Sequence, residues 1–155
     1  MNRFSRLEEM RRIQEEAAGQ AFARTLIRIE ELTQRIAALD RQTEEENRAA
    51  IDALADPEAV RSDPGLLQTF LSGQAWRRQR LEMTLQRARH DSQAAREVWL
   101  GTRVQLKQAE RLSEKEEERL RGEVRRQEIK ELDNVAINRI GRGPDGQYQA
   151  RRNLA

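Results

Sequence analysis

The sequence predicts an all-α fold, a long antiparallel two-helix coiled-coil hairpin. Three observations predict it: strong helix formers dominate the chain, apolar and small residues recur at alternating steps of three and four, and turn-forming residues cluster in two places. Charged residues make up 36% of the 155 residues and aromatic residues only 4%. Large apolar side chains are therefore too few for an ordinary globular core. The 29 basic and 27 acidic residues are interspersed, which favours salt-bridged helix surfaces over a disordered chain.

The first helix is predicted over residues 5–55. It opens with a capping-box pattern, Ser5-Arg6-Leu7-Glu8, in which the serine side chain would cap the helix. A turn follows over residues 56–64 and contains two Asp-Pro pairs, Asp56-Pro57 and Asp63-Pro64. Each pair places an N-capping aspartate before a proline at the first helical position, where the missing N–H has no intrahelical partner to lose.

The second helix is predicted over residues 64–140, because Gly141 and Pro144 then stop it. A short connection between two long helices makes them antiparallel neighbours. We therefore expect a hairpin domain over residues 1–140 and a disordered tail over residues 141–155.

The coiled-coil seam is read from the alternating steps. In the second helix these steps run through Leu81, Leu85, Ala88, Ser92, Ala95, Trp99, Thr102, Leu106, Ala109, Ser113, Glu116 and Leu120. In the first helix they run through Ile29, Leu32, Ile36, Leu39, Thr43, Glu46, Ala50 and Ala53. Such a sustained spacing of 3.5 indicates a supercoiled seam. Upstream, Phe22 and Leu26 fit this register, whereas Met10, Ile13 and Ala17 predict a local offset.

The two predicted helices are unequal. A turn centred near Val60 pairs residues near Arg3 with residues near Glu117. The segment from about residue 118 to residue 140, roughly 30 Å of helix, then has no partner within the hairpin. This segment carries an apolar stripe of Ile129, Leu132, Ala136 and Ile140. The stripe favours docking into another protein; homodimerisation and a connector that folds the N-terminus back are the alternatives.

The turn end carries its own apolar group. Leu66, Leu67, Phe70 and Leu71 bunch directly after the turn, and Trp76 is expected on the outward face. Aromatic residues beside arginines are typical anchors of protein interfaces. Either these residues form an exposed docking patch, or they form a local core under the turn.

The residue types needed for catalysis are sparse. Cysteine is absent and His90 is the single histidine, so we expect no metal site, no cofactor and no enzyme activity. A run of arginines (Arg77, Arg78, Arg80, Arg87 and Arg89) invites a nucleic-acid interpretation, but acidic residues dilute it and aromatic platforms are lacking, so we expect no nucleic-acid partner. With neither a signal peptide nor an apolar run of about 20 residues, a cytoplasmic protein is expected.

Two segments resemble the FliJ-type flagellar export proteins. The N-terminal segment, residues 4–17, reads FSRLEEMRRIQEEA, and the C-terminal segment, residues 125–136, reads RRQEIKELDNVA. The chain length and the hairpin layout are also similar to that family, and the resemblance covers about residues 3–140. Two positions depart from the family pattern, Asn134 in place of a second acidic residue and Gln74 in place of an apolar one.

The resemblance implies a component of the flagellar type III protein export apparatus, needed for flagellum biogenesis and motility. Proteins of this family resemble the stalk of rotary ATPases. The resemblance implies a stalk that inserts into the export ATPase hexamer, promotes ATP hydrolysis, contacts the export gate and handles export chaperones, at the cytoplasmic face of the inner membrane. The ATPase-binding end would then use Arg125, Arg126, Glu128, Lys130, Glu131, Leu132, Asp133 and Ala136. The gate-binding turn end would use Leu67, Phe70, Leu71 and Trp76. The stalk of a virulence type III secretion system and a generic coiled-coil scaffold or homodimer are the alternatives.

Overall fold

The computed structural model describes residues 2–58 and 63–141, and most of them form two long α-helices. Helix α1 spans Ser5–Ala55 and helix α2 spans Pro64–Gly141, and no strand occurs in the described residues. The two helices pack against each other, which confirms the predicted all-α hairpin. The predicted turn centre at Val60 lies outside the described residues. Of the tail predicted to be disordered over residues 141–155, only Gly141 is described, and it is the last residue of α2.

The helix starts follow local capping chemistry. Asp63 caps α2 as predicted, since its Oδ1 accepts a hydrogen bond from the backbone N–H of Gly65 at 2.9 Å. At α1 the predicted cap is wrong. Asn2 carries it, with Oδ1 accepting from the N–H of Phe4 at 2.9 Å, and the Ser5 hydroxyl instead donates to the Asn2 carbonyl at 2.8 Å. That hydroxyl therefore satisfies a carbonyl outside the helix, and the cap shifts toward the N-terminus.

The contacts divide the chain into two compact units. One unit is Arg11–Leu106, and the other combines the described residues of Met1–Met10 and Lys107–Ala155. Each unit contains a part of α1 packed on a part of α2, so each has a seam of its own.

The apolar core of the Arg11–Leu106 unit is small. Leu32 is its best-buried side chain, with 1% of its surface exposed, and it packs with Leu85 and Ala88. Three half-buried residues close this cluster, namely Ile29, Ile36 and Leu81. All six occupy predicted seam positions, so the spacing of the apolar residues places them in contact.

A second cluster in the same unit is aromatic. The rings of Phe22 and Trp99 stack with their centroids 5.6 Å apart, and Trp99 Nε1 donates to Glu15 Oε1 at 2.9 Å. Gly19 leaves room for the indole, because a Cβ at that position would lie 3.1 Å from Trp99 Nε1. Glycine inside a helix lowers stability by about 1 kcal/mol relative to alanine. Here it permits the close approach of the largest seam side chain.

The seam predicted for α2 is correct throughout, since all twelve of its positions are buried or half-buried. Two predicted α1 positions are wrong: Glu46 is exposed and Asn47 replaces it, and Leu26 is exposed while Thr25 is half-buried. In the Arg11–Leu106 unit the seam of α1 includes half-buried Ala18, Glu15 and Arg11 without the predicted offset, and Ile13 and Ala17 are exposed. In the other unit Glu8 and Phe4 are half-buried and Met10 is exposed. Polar residues hold these seam positions because they bond to α2; Arg11, for example, donates to Gln105 at 2.7 Å.

Gln74 is a polar residue at a fully buried seam position. Only 2% of its surface is exposed, and its Oε1 accepts a hydrogen bond from Arg77 at 3.1 Å. Its Nε2 has no hydrogen-bond partner. A buried amide donor without an acceptor loses its hydration without compensation, so this position costs stability.

Replacing Gln74 with leucine is expected to raise the free energy of unfolding by about 1–3 kcal/mol, because the unpaired amide is removed and apolar surface is buried. Urea unfolding followed by circular dichroism measures the change. The matched control is Gln86→Leu on the exposed surface of α2, which should leave stability within about 0.5 kcal/mol of the parent. Destabilisation by Gln74→Leu would show that the amide has a stabilising role.

Candidate interaction surfaces

A polar clamp attaches the start of α1 to α2. Asn2 Nδ2 donates to the Ser113 carbonyl at 2.9 Å and to the Ser113 hydroxyl at 2.7 Å. One position along, Arg3 Nε lies 3.6 Å from Glu116 Oε1. The sequence predicts that residues near Arg3 pair with residues near Glu117, and this contact agrees with that prediction.

Glu116 is the charged centre of this clamp. It is a buried carboxylate, and Arg119 holds it with two hydrogen bonds of 3.0 Å, one to each carboxylate oxygen. These hydrogen bonds, the charge of Arg119 and then that of Arg3 lower the pKa of Glu116 below its ordinary value of 4.5, although burial opposes the shift. The paired carboxylate can therefore occupy a seam position as an anion.

Beyond the clamp α2 continues as a single helix. Every residue from 124 to 141 is exposed. The predicted apolar stripe lies on this segment and nothing covers it in the described chain: 68% of the surface of Leu132 and 81% of that of Ile140 are accessible. We call residues 124–141 the terminal helix. Large apolar side chains in a row on an unpartnered helix are a feature of docking surfaces.

All the residues predicted to bind an ATPase lie on the terminal helix, and only their shared helix brings them together. Arg126 Nε donates to the Gly122 carbonyl at 3.2 Å. Within the described residues, no side-chain hydrogen bond or ion pair involves the other charged members, Arg125, Glu128, Lys130, Glu131 and Asp133. Just upstream the charges are paired, as in Arg121 to Glu117 at 3.2 Å. The terminal helix therefore presents unpaired charges on both flanks of its apolar stripe.

The turn end divides into a covered part and an open part. Leu67, Phe70 and Leu71 are half-buried, whereas Leu66 and Trp76 are exposed. The guanidinium of Arg80 lies 4.8 Å from the centroid of the Trp76 ring, a cation–π contact. Trp76, in contact with Arg80, is therefore the most accessible residue of the predicted turn-end site.

Other kinds of site receive little support from the described residues. His90 is exposed, and no group of three or more His, Cys, Asp or Glu side chains in the described parts could hold a metal ion. Neither described helix contains an apolar stretch that could cross a membrane.

Comparison with protein-family models, with curated proteins and with solved structures finds no match to this chain. A function for this chain therefore rests on the residues of the terminal helix and of the turn end.

The sequence interpretation missed the role of Asn2 and Ser113. The spacing of α2 predicts that Ser113 lies in the seam, but it does not predict that Ser113 pairs with Asn2, which precedes the first helix. The available signal was the identity of Asn2, since asparagine is among the best N-capping residues and lies three positions before Ser5.

The clamp should be sensitive to acid. Because the pKa of Glu116 is lower in the folded protein than in the unfolded chain, its stabilising effect is complete above pH 4.5 and is lost as the pH falls through the lowered folded pKa. Urea unfolding of the parent and of Glu116→Gln, compared from pH 7 to pH 3, measures this. The two free energies of unfolding should differ most above pH 4.5 and converge below it. A difference that is constant over this range would contradict the assignment.

Proposed function

We propose that this protein is a non-enzymatic stalk of a flagellar type III protein export apparatus, acting on the export ATPase. The observation that carries the proposal is the terminal helix, a single helix that extends past the clamp with an uncovered apolar stripe. A coiled coil whose one helix outlasts the other has the form needed to enter the central opening of a ring. The resemblance of residues 4–17 and 125–136 to FliJ-type proteins points to the ring of an export ATPase.

In this proposal the terminal helix binds the ATPase ring through Leu132 and Ala136 and through the unpaired charges around them. Its insertion would favour the hexamer and raise ATP hydrolysis, since a ligand that binds only the assembled ring stabilises the ring. The partner would supply acceptors and donors for the side chains of Glu128, Lys130 and Asp133. Their lack of partners within the described chain supports such a role.

The turn end would contact the export gate, with Trp76 as the accessible anchor. Tryptophan with a stacked arginine offers a large apolar area together with a cation, a combination enriched at the centres of interfaces. Export chaperones are the third class of partner in the proposal. The protein would then reach the cytoplasmic face of the inner membrane through these partners and would need no cofactor.

Leu132→Asp should abolish the stimulation of the cognate flagellar export ATPase, because it places a charge in the middle of the apolar stripe. Phosphate release measured with the purified ATPase and increasing amounts of each variant gives the readout. The matched control is Val104→Asp. Val104 is also an exposed apolar residue, with 55% of its surface accessible, but it lies on the outer side of the paired part of α2. The control should stimulate as the parent does.

Helical content and thermal unfolding should be the same for Leu132→Asp and the parent within about 0.5 kcal/mol, since Leu132 makes no seam contact. If Leu132→Asp unfolds the hairpin, the terminal helix is structural and the proposal fails. It also fails if the parent neither co-elutes with the ATPase nor raises its turnover. Parallel assays with a virulence-system export ATPase separate the two export classes.

Light scattering tests the scaffold alternative. The proposal expects a monomer in which the stripe stays free for the ring. A stable dimer that Leu132→Asp dissociates would place the stripe in a homodimer interface and would favour a coiled-coil scaffold.

A further inference from the structure

The side grooves between α1 and α2 differ chemically within the Arg11–Leu106 unit. Both inter-helix ion pairs of this unit lie on one side, Arg78 with Asp40 at 2.8 Å and Arg103 with Glu15 at 4.0 Å. In each of these pairs an arginine of α2 is neutralised by an acid of α1. The opposite side lacks such pairs among the described residues.

That opposite side contains a recess of about 290 Å³ between the helices. Arg24 and Arg28 of α1 and Arg87 of α2 line it, together with Asp91. The remaining lining residues are apolar or weakly polar, namely Ala88, Thr25 and Thr84. We call this recess the arginine groove. Three cations facing one anion leave it electropositive.

The partners of these arginines within the chain are weak or absent. Arg24 Nε donates to the Gln20 carbonyl at 3.4 Å, and Arg28 lies 3.5 Å from Glu31. The side chain of Arg87 has no hydrogen bond or ion pair within the described residues. The hydroxyls of Thr25 and Thr84 are both bound to backbone carbonyls of their own helices. The guanidinium groups are therefore the donors that the groove offers to a ligand.

The groove continues along the hairpin as an uncharged surface. Arg11 joins Gln14 and Gln105 by hydrogen bonds, which places those two glutamines on the same side of the seam. Alternating steps of three and four from these residues to the groove pass through exposed, uncharged positions, namely Ala17 and Ala21 on α1 and Ala94, Val98 and Gly101 on α2. No atom lies within 4 Å of a Cβ built on Gly101, so this surface is open to close approach.

We propose that the arginine groove binds an acidic amphipathic helix of another protein, which packs beside α1 and α2 as a third strand. Carboxylates on the incoming helix would reach Arg24, Arg28 and Arg87, since guanidinium groups bind carboxylates with paired hydrogen bonds. Its small or apolar residues would pack on the uncharged surface. From Gln14 to Arg28 this site is about 21 Å long at 1.5 Å per residue, enough for about four helical turns. The site is independent of the terminal helix and of the proposed stalk function.

A protein helix fits this site better than a nucleic acid does. The recess is formed mainly by methyl and methylene groups, which an amphipathic helix can cover and a phosphate backbone cannot. Binding of single strands relies on aromatic side chains that stack with bases, and no aromatic residue lines the groove. Trp76 lies farther along α2 and is not among the residues that line the groove.

The test uses the full-length protein and a dye-labelled helical peptide of about 16 residues, measured by fluorescence anisotropy at physiological salt. The peptide carries Leu and Ala at alternating steps of three and four, with Glu on both flanks. A second peptide has Lys in place of each Glu. We expect the acidic peptide to bind at least about 10-fold more tightly than the basic one, a difference of about 1.4 kcal/mol.

The groove variant combines Arg24→Glu, Arg28→Glu and Arg87→Glu and should weaken binding of the acidic peptide by at least about 10-fold. The matched control, Arg41→Glu, Arg89→Glu and Arg96→Glu, makes the same charge change at exposed arginines without ion pairs in the described chain. It should bind within about threefold of the parent, because nonspecific attraction is screened at this ionic strength. The groove variant should still stimulate the export ATPase, which separates this site from the stalk function.

Three results would overturn the proposal: no binding of the acidic peptide by the parent, equal binding of both peptides, or equal loss in the groove variant and the control. A single-stranded DNA oligonucleotide serves as the competing probe. If the oligonucleotide binds more tightly than the acidic peptide and the groove variant abolishes that binding, the groove is a nucleic-acid site.

Discussion

The packing of Leu32 against Leu85 and Ala88 is the contact on which the rest of its unit depends. It aligns one position of α1 with one position of α2, and this register determines which residues of the two antiparallel helices face each other elsewhere in the unit. Moving toward the N-terminus of α1 brings Phe22 onto Trp99 and Arg11 onto Gln105. The arginine groove follows from the same alignment, because a shift of one residue would rotate its members away from one another.

The seams of the two units contain few buried apolar side chains. Four hydrophobic residues are buried in the described chain, and so are four polar ones, Gln74, Ser92, Ser113 and Glu116. Buried polar groups contribute little stability, but they penalise wrong alignments, in which their partners would be missing. The clamp of Asn2 and Arg3 illustrates this, since each has its bonding partner at one position only. The hairpin thus relies on polar bonds for its register and on a short apolar cluster for its stability.

The sequence was sufficient for the features set by repeated or unambiguous chemistry. Asp63, Pro64 and the unbroken steps of α2 located the second helix and its buried face, and the difference in helix length identified the terminal helix. It was insufficient upstream in α1, where the seam consists of Arg11 and Glu15 while Met10 and Ile13 are exposed. Hydrophobic patterning cannot find a seam position whose polar side chain is satisfied across the interface. Nor could it reveal the arginine groove, because the neighbours of Arg87 on α1 are distant in sequence.

The unequal helices have a consequence for how the terminal helix can bind. Helix α1 has 51 residues and α2 has 78. Since α2 ends at Gly141, it remains helical for about 37 Å beyond Glu116. An isolated peptide of this length would have to nucleate its own helix, which is unfavourable. Here the clamped part of α2 already supplies the nucleus, and the terminal helix only propagates from it. A partner that receives this helix therefore does not have to order a disordered segment, and more of the free energy of burying Leu132 and Ile140 remains for affinity.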